Sequence, residues 1–210
     1  MIRSFLKAVL PGGVVRTVRD LSRVEAGARG TYLRLALSRQ RDQLAPPLVS
    51  LATHRSVVMI CHGNILRSAF AEALLKQAVR EGRVPGLCVC SAGLHATPGK
   101  PADPRGVTVA REYGLDLSAH RASLLDAEMV EKADLLLVMD YRNAAEAVWR
   151  YPDARRKVVL LGRFDREWES DPVIPDPYGG DIGEVRAAYG RVAAAVERLV
   201  TSLAGTNTPA

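Results

Sequence analysis

From residue 56 onward, short hydrophobic runs alternate with helical stretches. Runs of the first kind predict buried strands, and the amphipathic segments between them predict helices. The predicted strands span 56–61, 87–91, 134–140 and 157–161, and the predicted helices span about 68–80, 103–113, 141–149 and 181–204. This alternation predicts an α/β fold, in which a parallel sheet carries helices on both faces. Ligands of such folds bind beyond the carboxyl ends of the strands.

The first quarter of the chain differs from the rest in both pattern and charge. Residues 1–55 hold ten Lys or Arg and three Asp or Glu, a balance of +7, whereas the remaining residues hold 19 and 20, a balance of −1. Helical periodicity with arginines on a separate face covers about 14–24, and a second helical stretch covers 31–44. We therefore predict a basic helical N-terminal extension, a main domain and a tail, at 1–52, 53–204 and 205–210.

Hydropathy and cysteine use indicate the setting in which the chain works. No run approaches the roughly 20 apolar residues that a membrane helix needs, and no clear cleavage site follows the short apolar start. Only Cys61, Cys88 and Cys90 are present, which is too few for a disulfide framework, so a reducing, cytoplasmic location is expected. Cys88 and Cys90 lie two residues apart on a predicted strand, which favours two buried structural thiols over a metal site.

The basic extension has two alternative interpretations. Its arginine-rich helices could lie on an anionic membrane surface as a peripheral attachment, because each basic residue near such a surface contributes about 1 kcal/mol. The alternative is that residues 1–52 pack on the main domain or on a second copy of the chain. Nothing in the sequence indicates nucleic acid as a partner, because aromatic residues interleaved with the basic ones are nearly absent.

One loop, at the end of the first predicted strand, combines the features of a phosphate site. Its residues are Cys61, His62, Gly63, Asn64, Ile65, Leu66, Arg67 and Ser68. Backbone N–H groups of a loop that enters a helix converge on an anion, and an arginine fork holds two phosphate oxygens. The same donors stabilise a cysteine thiolate, which can attack phosphorus. A Cys-x5-Arg spacing arises readily by chance, so the position between strand and helix carries the prediction.

A second segment, Ile174 to Asp181, offers the general acid that such chemistry requires. Attack by a thiolate expels an oxygen leaving group, which a positioned carboxyl group can protonate. Asp176 stands between Pro175 and Pro177, which stiffen the backbone around it. Tyr178 supplies an aromatic face suited to stacking on a phenyl ring. The alternative is a simple Pro-Asp turn that begins the last helix.

Together, the Cys61–Ser68 loop and Asp176-Pro177-Tyr178 resemble the low-molecular-weight protein tyrosine phosphatase family. The resemblance covers 56 to about 203 and includes Ser91-Ala92-Gly93, His120-Arg121-Ala122 and the strand DLLLVMD. It implies a four-stranded parallel sheet and hydrolysis of phosphotyrosine through a phosphocysteine intermediate, with no metal and no cofactor. The implied partner is a phosphotyrosine-containing protein, for which a tyrosine kinase is one candidate.

The resemblance also implies a role for each matching side chain. The catalytic residues are the nucleophile Cys61, the phosphate clamp Arg67 and Asp176, which acts first as acid and then as base. The phosphate-binding residues are His62, Gly63, Asn64, Ile65, Leu66, Arg67 and Ser68. The residues that support the loop are Asn64, Ser68, Glu72, Ser91 and His120. The residues expected to stack on the substrate are Tyr178 and His95.

The chain departs from the family pattern at three places. Leu66 replaces the family's second loop cysteine, so oxidation of Cys61 is expected to proceed more readily to irreversible forms. Ala69 replaces the usual proline in the first helical turn, and the segment after Gly93 lacks the aromatic residue of many members. We expect His95 to take the place of that aromatic residue at the cleft wall.

Three other functions remain open from the sequence. An arsenate reductase of the same fold needs further cysteines on a mobile segment well after the nucleophile, and residues 131–141 contain none. A phosphoarginine phosphatase resembles this chain but carries Thr where Ile65 stands. A module that binds phosphotyrosine without turning it over would be expected to lack Cys61 or Asp176, and both are present.

Overall fold

A four-stranded parallel sheet forms the centre of the computed structural model, which describes residues 21–37, 51, 53–165 and 171–205. Its strands are β1 to β4, at Ser56–Cys61, Cys88–Gly93, Leu135–Val138 and Val158–Leu160, in the order β2-β1-β3-β4. All neighbouring pairs are parallel, and the register places Cys61 opposite Gly93 and Val138 opposite Leu160. The predicted fold is confirmed, and the carboxyl ends of the strands meet at one end of the sheet.

Helices surround this sheet within the described ranges. The α-helices α1 to α6 span Arg29–Leu37, Arg67–Arg80, Pro104–Arg111, Ala127–Lys132, Tyr141–Arg150 and Ile182–Leu203, and 3-10 turns cover Ala26–Ala28, Pro152–Lys157 and Leu161–Phe164. Asp181 begins α6 in a capping box with Glu184, in which each side chain accepts a backbone N–H of the other residue. Gly114, three residues after α3, has a φ of 71° and so takes the predicted left-handed conformation. Helix α4 was not predicted, because its six residues bury only Val130 and show no periodicity to read.

The alternation of side chains along β1 divides the core into two layers. Val57 and Met59 belong to one layer, while Val58 belongs to the other. The first layer lies beneath α2 and α6, where the rings of Phe70 and Tyr189 stack with centroids 3.8 Å apart. The second layer lies beneath α1 and α5. Helices on both faces therefore hold the sheet rigid beneath the loops at its carboxyl end.

Part of the predicted extension belongs to the second core layer. The segment 24–36 buries five side chains in that layer: Val24, Ala28, Tyr32, Leu35 and Ala36. These contacts fit the interpretation in which the extension packs on the main domain. The predicted helix over 14–24 lies outside the described residues except for 21–24, and the division at residue 52 stays a prediction. Within the described part of the chain, no helix is long and apolar enough to cross a membrane.

The prediction that Cys88 and Cys90 are buried structural thiols is wrong. Cys88 is exposed and Cys90 is half-buried. Both lie in the first half of β2, which is at the edge of the sheet, and only the second half of that strand, Ser91–Gly93, is covered. Partial burial raises the pKa of Cys90, so its thiol is held in the protonated form.

Candidate active site

Cys61 lies where the sheet meets the first loop. It is the last residue of β1 and is buried, and its Sγ lies 3.0 Å from Ser68 Oγ in the first turn of α2. The backbone N–H of Asn64 also donates to this sulfur, at 3.3 Å. A thiolate here would face donors from the loop and the positive end of the α2 dipole, which is the setting that activates a cysteine.

Asn64 holds the loop in its conformation. Its φ of 52° is left-handed, a conformation that Asn tolerates better than most side chains. The side chain is fully buried, donates from Nδ2 to Ser68 Oγ at 2.9 Å and to Ser91 Oγ at 2.7 Å, and accepts the Ser123 N–H at 2.8 Å. Because Ser68 Oγ accepts from Asn64, its own proton is left for Cys61 Sγ at 3.0 Å, with the Ala92 carbonyl as a more distant acceptor at 3.5 Å. The network therefore orients a hydroxyl donor toward the sulfur.

Two further residues complete this network from outside. His120 Nε2 lies 2.7 Å from the backbone oxygen of Asn64, and a carbonyl only accepts, so this nitrogen carries the proton. Ser91 Oγ donates to Glu72 Oε2, and that oxygen lies 4.0 Å from His120 Nδ1. The structure thus brings together all of the residues named as loop supports: Asn64, Ser68, Glu72, Ser91 and His120.

Gly93 explains why a small residue ends β2 beside the loop. A Cβ atom at this position would lie 2.7 Å from the His62 backbone oxygen and 2.8 Å from the Asn64 backbone nitrogen. Both atoms are backbone and cannot move aside without shifting the loop. Glycine therefore allows the close approach of β2 to the Cys61 loop.

Arg67 begins α2 and is almost fully buried, with 1% of its surface exposed. One terminal nitrogen, Nη1, donates to Asp140 Oδ2 at 2.9 Å and to the Ile174 carbonyl at 3.0 Å. The other, Nη2, lies 3.1 Å from Asp176 Oδ1. Burial disfavours the charged forms of both Arg67 and Asp140, but the attraction between the two charges outweighs this effect. The pKa of Asp140 is therefore held below its ordinary value, and the pKa of Arg67 is held above its ordinary value.

Asp176 faces the same cleft from the opposite side. Its Oδ2 lies 3.4 Å from an Arg142 nitrogen, and about a quarter of its side chain is exposed. The segment that carries it is held by Arg105, which donates to the backbone oxygens of Tyr178 and Gly180. Asp176 is therefore fixed within reach of Arg67 while one side of its carboxylate stays accessible.

The cleft between the Cys61 loop and the Asp176 segment has a volume of about 210 Å³. Its lining residues are Cys61, His62, Gly63, Ile65, Leu66, Arg67, His95, Thr97, Lys100, Asp176 and Tyr178. Tyr178 is 58% exposed, so its ring can meet a substrate at the rim. The rings of His62 and His95 stack with centroids 4.5 Å apart. Burial, followed by the neighbouring His95, lowers the pKa of His62 and favours its neutral form.

Sequence reasoning missed several residues of the site. Asp140 stood at the end of the run DLLLVMD, and the rule that ligands bind at the carboxyl ends of parallel strands was a signal that could have found it. Arg142 and Arg105 had no comparable signal, because each acts on a loop that is distant in sequence. Thr97 and Lys100 line the cleft through a segment without periodicity.

Comparison with known proteins gives consistent matches over this part of the chain. A family model described as low molecular weight phosphotyrosine protein phosphatase matches residues 56–208. The chain is 41% identical over 118 residues to the probable low molecular weight protein-tyrosine-phosphatase EpsP of Ralstonia nicotianae, covering 56% of this chain and 78% of that protein.

Two solved structures show the same fold. The tyrosine phosphatase amsI of Erwinia amylovora superposes with a TM-score of 0.65 at 34% identity, covering 72% of this chain and 94% of that one. The YwlE arginine phosphatase of Geobacillus stearothermophilus superposes with a TM-score of 0.64 at 33% identity, covering 71% and 92%.

Proposed function

The chain belongs to the low molecular weight phosphotyrosine protein phosphatase family, and on that premise we propose that it hydrolyses phosphotyrosine in proteins with Cys61 as nucleophile. The observation that carries the proposal is the convergence of three side chains on one cleft. Cys61 Sγ sits beneath donors from Asn64 and Ser68, and Arg67 and Asp176 line the same cleft. A nucleophile, a phosphate clamp and a proton donor are the parts that phosphate ester hydrolysis through a covalent intermediate needs.

In the first step the Cys61 thiolate attacks phosphorus and forms a phosphorus–sulfur bond. The bond from phosphorus to the tyrosyl oxygen breaks, and protonated Asp176 gives its proton to that oxygen, so tyrosine leaves as a neutral phenol. Arg67 and the loop N–H groups hold the phosphoryl oxygens, whose charge they balance. Asp176 is then an ionised carboxylate beside the phosphocysteine.

In the second step water attacks the phosphocysteine. Asp176 takes a proton from the water, the phosphorus–sulfur bond breaks, and inorganic phosphate and the Cys61 thiolate result. The Ser68 hydroxyl, oriented by Asn64, donates to the departing thiolate. This donor lowers the barrier of a step in which negative charge returns to sulfur.

Residues at the rim support an aromatic substrate. Tyr178 and His95 both line the cleft, so the phenyl ring of a phosphotyrosine could rest between them. Ile65 lines the cleft where a phosphoarginine phosphatase is expected to carry Thr, which favours tyrosine. The similarity to the YwlE arginine phosphatase keeps phosphoarginine as the second candidate. We propose a phosphotyrosine-containing protein, including a tyrosine kinase, as the partner, and a cytoplasmic location.

The test measures turnover of phosphotyrosine, phosphoserine and phosphoarginine peptides side by side in the presence of a chelator. We expect phosphotyrosine to be the best substrate, Cys61→Ser to abolish turnover, and Asp176→Asn to lower it by about 10²-fold or more. Cys88→Ser is the matched control, because this thiol is exposed and away from the cleft, and it should retain full activity. Residual activity in Cys61→Ser, or faster turnover of phosphoarginine, would contradict the proposal.

A further inference from the structure

Two histidines and a glutamate meet at the rim of the cleft, outside the network that supports Cys61. The donor atoms of His62, His95 and Glu146 all lie within 4.8 Å of one another. His95 Nε2 lies 2.7 Å from Glu146 Oε2. The three residues come from separate elements: the loop after β1, the segment after β2, and α5.

The positions of these side chains are fixed by the fold. The His95 backbone N–H donates to the His62 backbone oxygen at 2.8 Å, and the Leu94 N–H donates to the Cys61 oxygen at 3.0 Å. These bonds hold the two imidazoles against each other beyond the paired ends of β1 and β2. Glu146 is held from the other side because it lies on α5 with only 2% of its surface exposed.

Glu146 is a buried carboxylate without a permanent positive charge among the partners described for it. Its Oε1 accepts the Glu25 backbone N–H at 3.2 Å, and its Oε2 faces His95. The nearby guanidinium of Arg150 lies 3.3 Å from His95 Nε2, and its other partners are the Glu25 carboxylate and the Leu94 carbonyl. A buried carboxylate is stable only when its charge is compensated, and a cation beside Oε2 would do so.

Two imidazoles and one carboxylate are a donor set that zinc prefers when a fourth position stays open. Zinc binds these atoms at about 2.0–2.2 Å in a tetrahedral arrangement, which requires donors about 3.3 Å apart. The His95 Nε2–Glu146 Oε2 separation of 2.7 Å would widen slightly to reach that value, whereas the wider separations within the 4.8 Å cluster would shorten. The imidazoles of His62 and His95 are exposed, so rotation of these rings can make both changes. The stacked rings leave their edges, where the nitrogens lie, directed toward the same region.

We propose that His62, His95 and Glu146 form a binding site for Zn²⁺ at the rim of the cleft, and that its occupancy inhibits the enzyme. The inhibition follows from position, because His62 and His95 line the cleft that the substrate must enter. A metal that draws the two rings together narrows this entrance and alters the loop residue next to Cys61. Catalysis itself uses none of these ligand bonds, so the site is regulatory.

The binding test uses Cys61→Ser protein, so that no metal can bind to the nucleophile. Titration with Zn²⁺ by calorimetry should give one site, and titration with Co²⁺ should give the visible absorption of a coordinated ion. Adding Glu146→Gln, which keeps the shape of the side chain, should weaken Zn²⁺ binding at least about tenfold. His95→Asn should also weaken Zn²⁺ binding at least about tenfold. Because two variants are tested, a folding defect in one of them does not decide the result.

Glu25→Gln is the matched control, because it removes a nearby carboxylate while keeping the backbone N–H that Glu146 accepts. It should change Zn²⁺ affinity by less than about fivefold, as expected for a partly exposed charge. Equal weakening by Glu25→Gln and Glu146→Gln would show non-specific attraction and overturn the site. Retention of affinity in both Glu146→Gln and His95→Asn would overturn it as well.

The inhibitory consequence has a separate test in protein that carries Cys61. Turnover of a small aryl phosphate is measured over a range of Zn²⁺ concentrations, with each variant referred to its own metal-free rate. Glu146→Gln should need at least about tenfold more Zn²⁺ for the same fractional loss. Identical inhibition curves for the parent and Glu146→Gln would show that zinc acts elsewhere, for example on the Cys61 thiolate.

Discussion

The buried ion pair between Arg67 and Asp140 offers a sharp test of how the site is held. Substitution of Asp140 by Asn keeps the size of the side chain and an oxygen that can accept the Asn143 N–H, the bond that caps α5. Asn and Asp are about equally good at this capping position. When the Asn oxygen caps α5, the substitution removes the negative charge opposite Arg67 together with the Oδ2 acceptor that Arg67 uses.

The expected loss of stability follows from burial. Arg67 is 1% exposed and Asp140 is 6% exposed, and removal of one partner of such a buried pair costs about 3–5 kcal/mol. Two features reduce this value, because Asp176 remains 3.1 Å from Arg67 and the Ile174 carbonyl still accepts from Nη1. We expect a decrease of about 2–3 kcal/mol in the free energy of unfolding. At about 2–4 °C per kcal/mol for a chain of this size, Tm should fall by about 4–12 °C.

The measurement is urea and thermal unfolding of the parent, Asp140→Asn and Asp126→Asn at pH 7. Asp126 is the matched control, because it caps α4 by accepting the Met129 N–H at 2.8 Å but is exposed and has no arginine partner among its described contacts. Asp126→Asn should stay within about 0.5 kcal/mol of the parent. The reasoning is refuted if Asp140→Asn is as stable as this control, because the buried charge of Arg67 would then need no compensation.

Three further outcomes follow from the structure. Because the folded-state pKa of Asp140 is depressed, its stabilisation is present above about pH 4 and is lost as pH falls further, so the difference in unfolding free energy between the parent and Asp140→Asn should shrink below pH 4. Tyr32→Ala should lower the free energy of unfolding by about 3 kcal/mol with unchanged turnover of a small aryl phosphate; a loss below about 1 kcal/mol would mean that the extension does not pack on α5 in solution. Leu66→Cys should let a thiol reductant restore activity after peroxide treatment, whereas the parent should stay inactive; equal recovery would show that Cys61 needs no second cysteine.

The sheet and the main helices could be predicted because their signals are local. The runs SVVMIC and KVVLL are continuous and β-branched, as in strands covered on both faces, and the structure places strands at Ser56–Cys61 and Val158–Leu160. The run at 87–91 has the same appearance, but within it Cys88 is exposed and Val89 and Cys90 are only half-buried, because β2 lies at the edge of the sheet. Strand order decides this burial, and a single sequence does not reveal strand order. For this reason the predicted burial of Cys88 and Cys90 was wrong.

The loop from Cys61 to Ser68 could be recognised because it is contiguous, whereas its supports are spread along the chain. Asn64 bonds to Ser91 and Ser123, which lie 27 and 59 residues away. Only the resemblance to a family pointed to Ser91, and nothing pointed to Ser123, which contributes a backbone N–H. A backbone donor has no residue type, so no sequence pattern can indicate it.

The position of Asp176 depends on the end of β3 as much as on its own prolines. The Ile174 N–H donates to the Met139 oxygen at 2.9 Å, and the Ile174 oxygen accepts from Arg67. Asp140, the next residue after Met139, holds the other side of the Arg67 guanidinium. The nucleophile loop, the end of β3 and the acid segment are thus joined through one arginine.

This shared arginine also suggests how the acid and the clamp act in sequence. Arg67 Nη2 contacts Asp176 Oδ1, while Asp140 and the Ile174 carbonyl hold Nη1. A phosphate that bonds to Nη2 competes with Asp176 for it, so the bound substrate releases this carboxyl group from the clamp. Asp176 can then turn toward the leaving oxygen, while Asp140 keeps the guanidinium in place. An arginine held only by Asp176 would lose its anchor at the moment of binding.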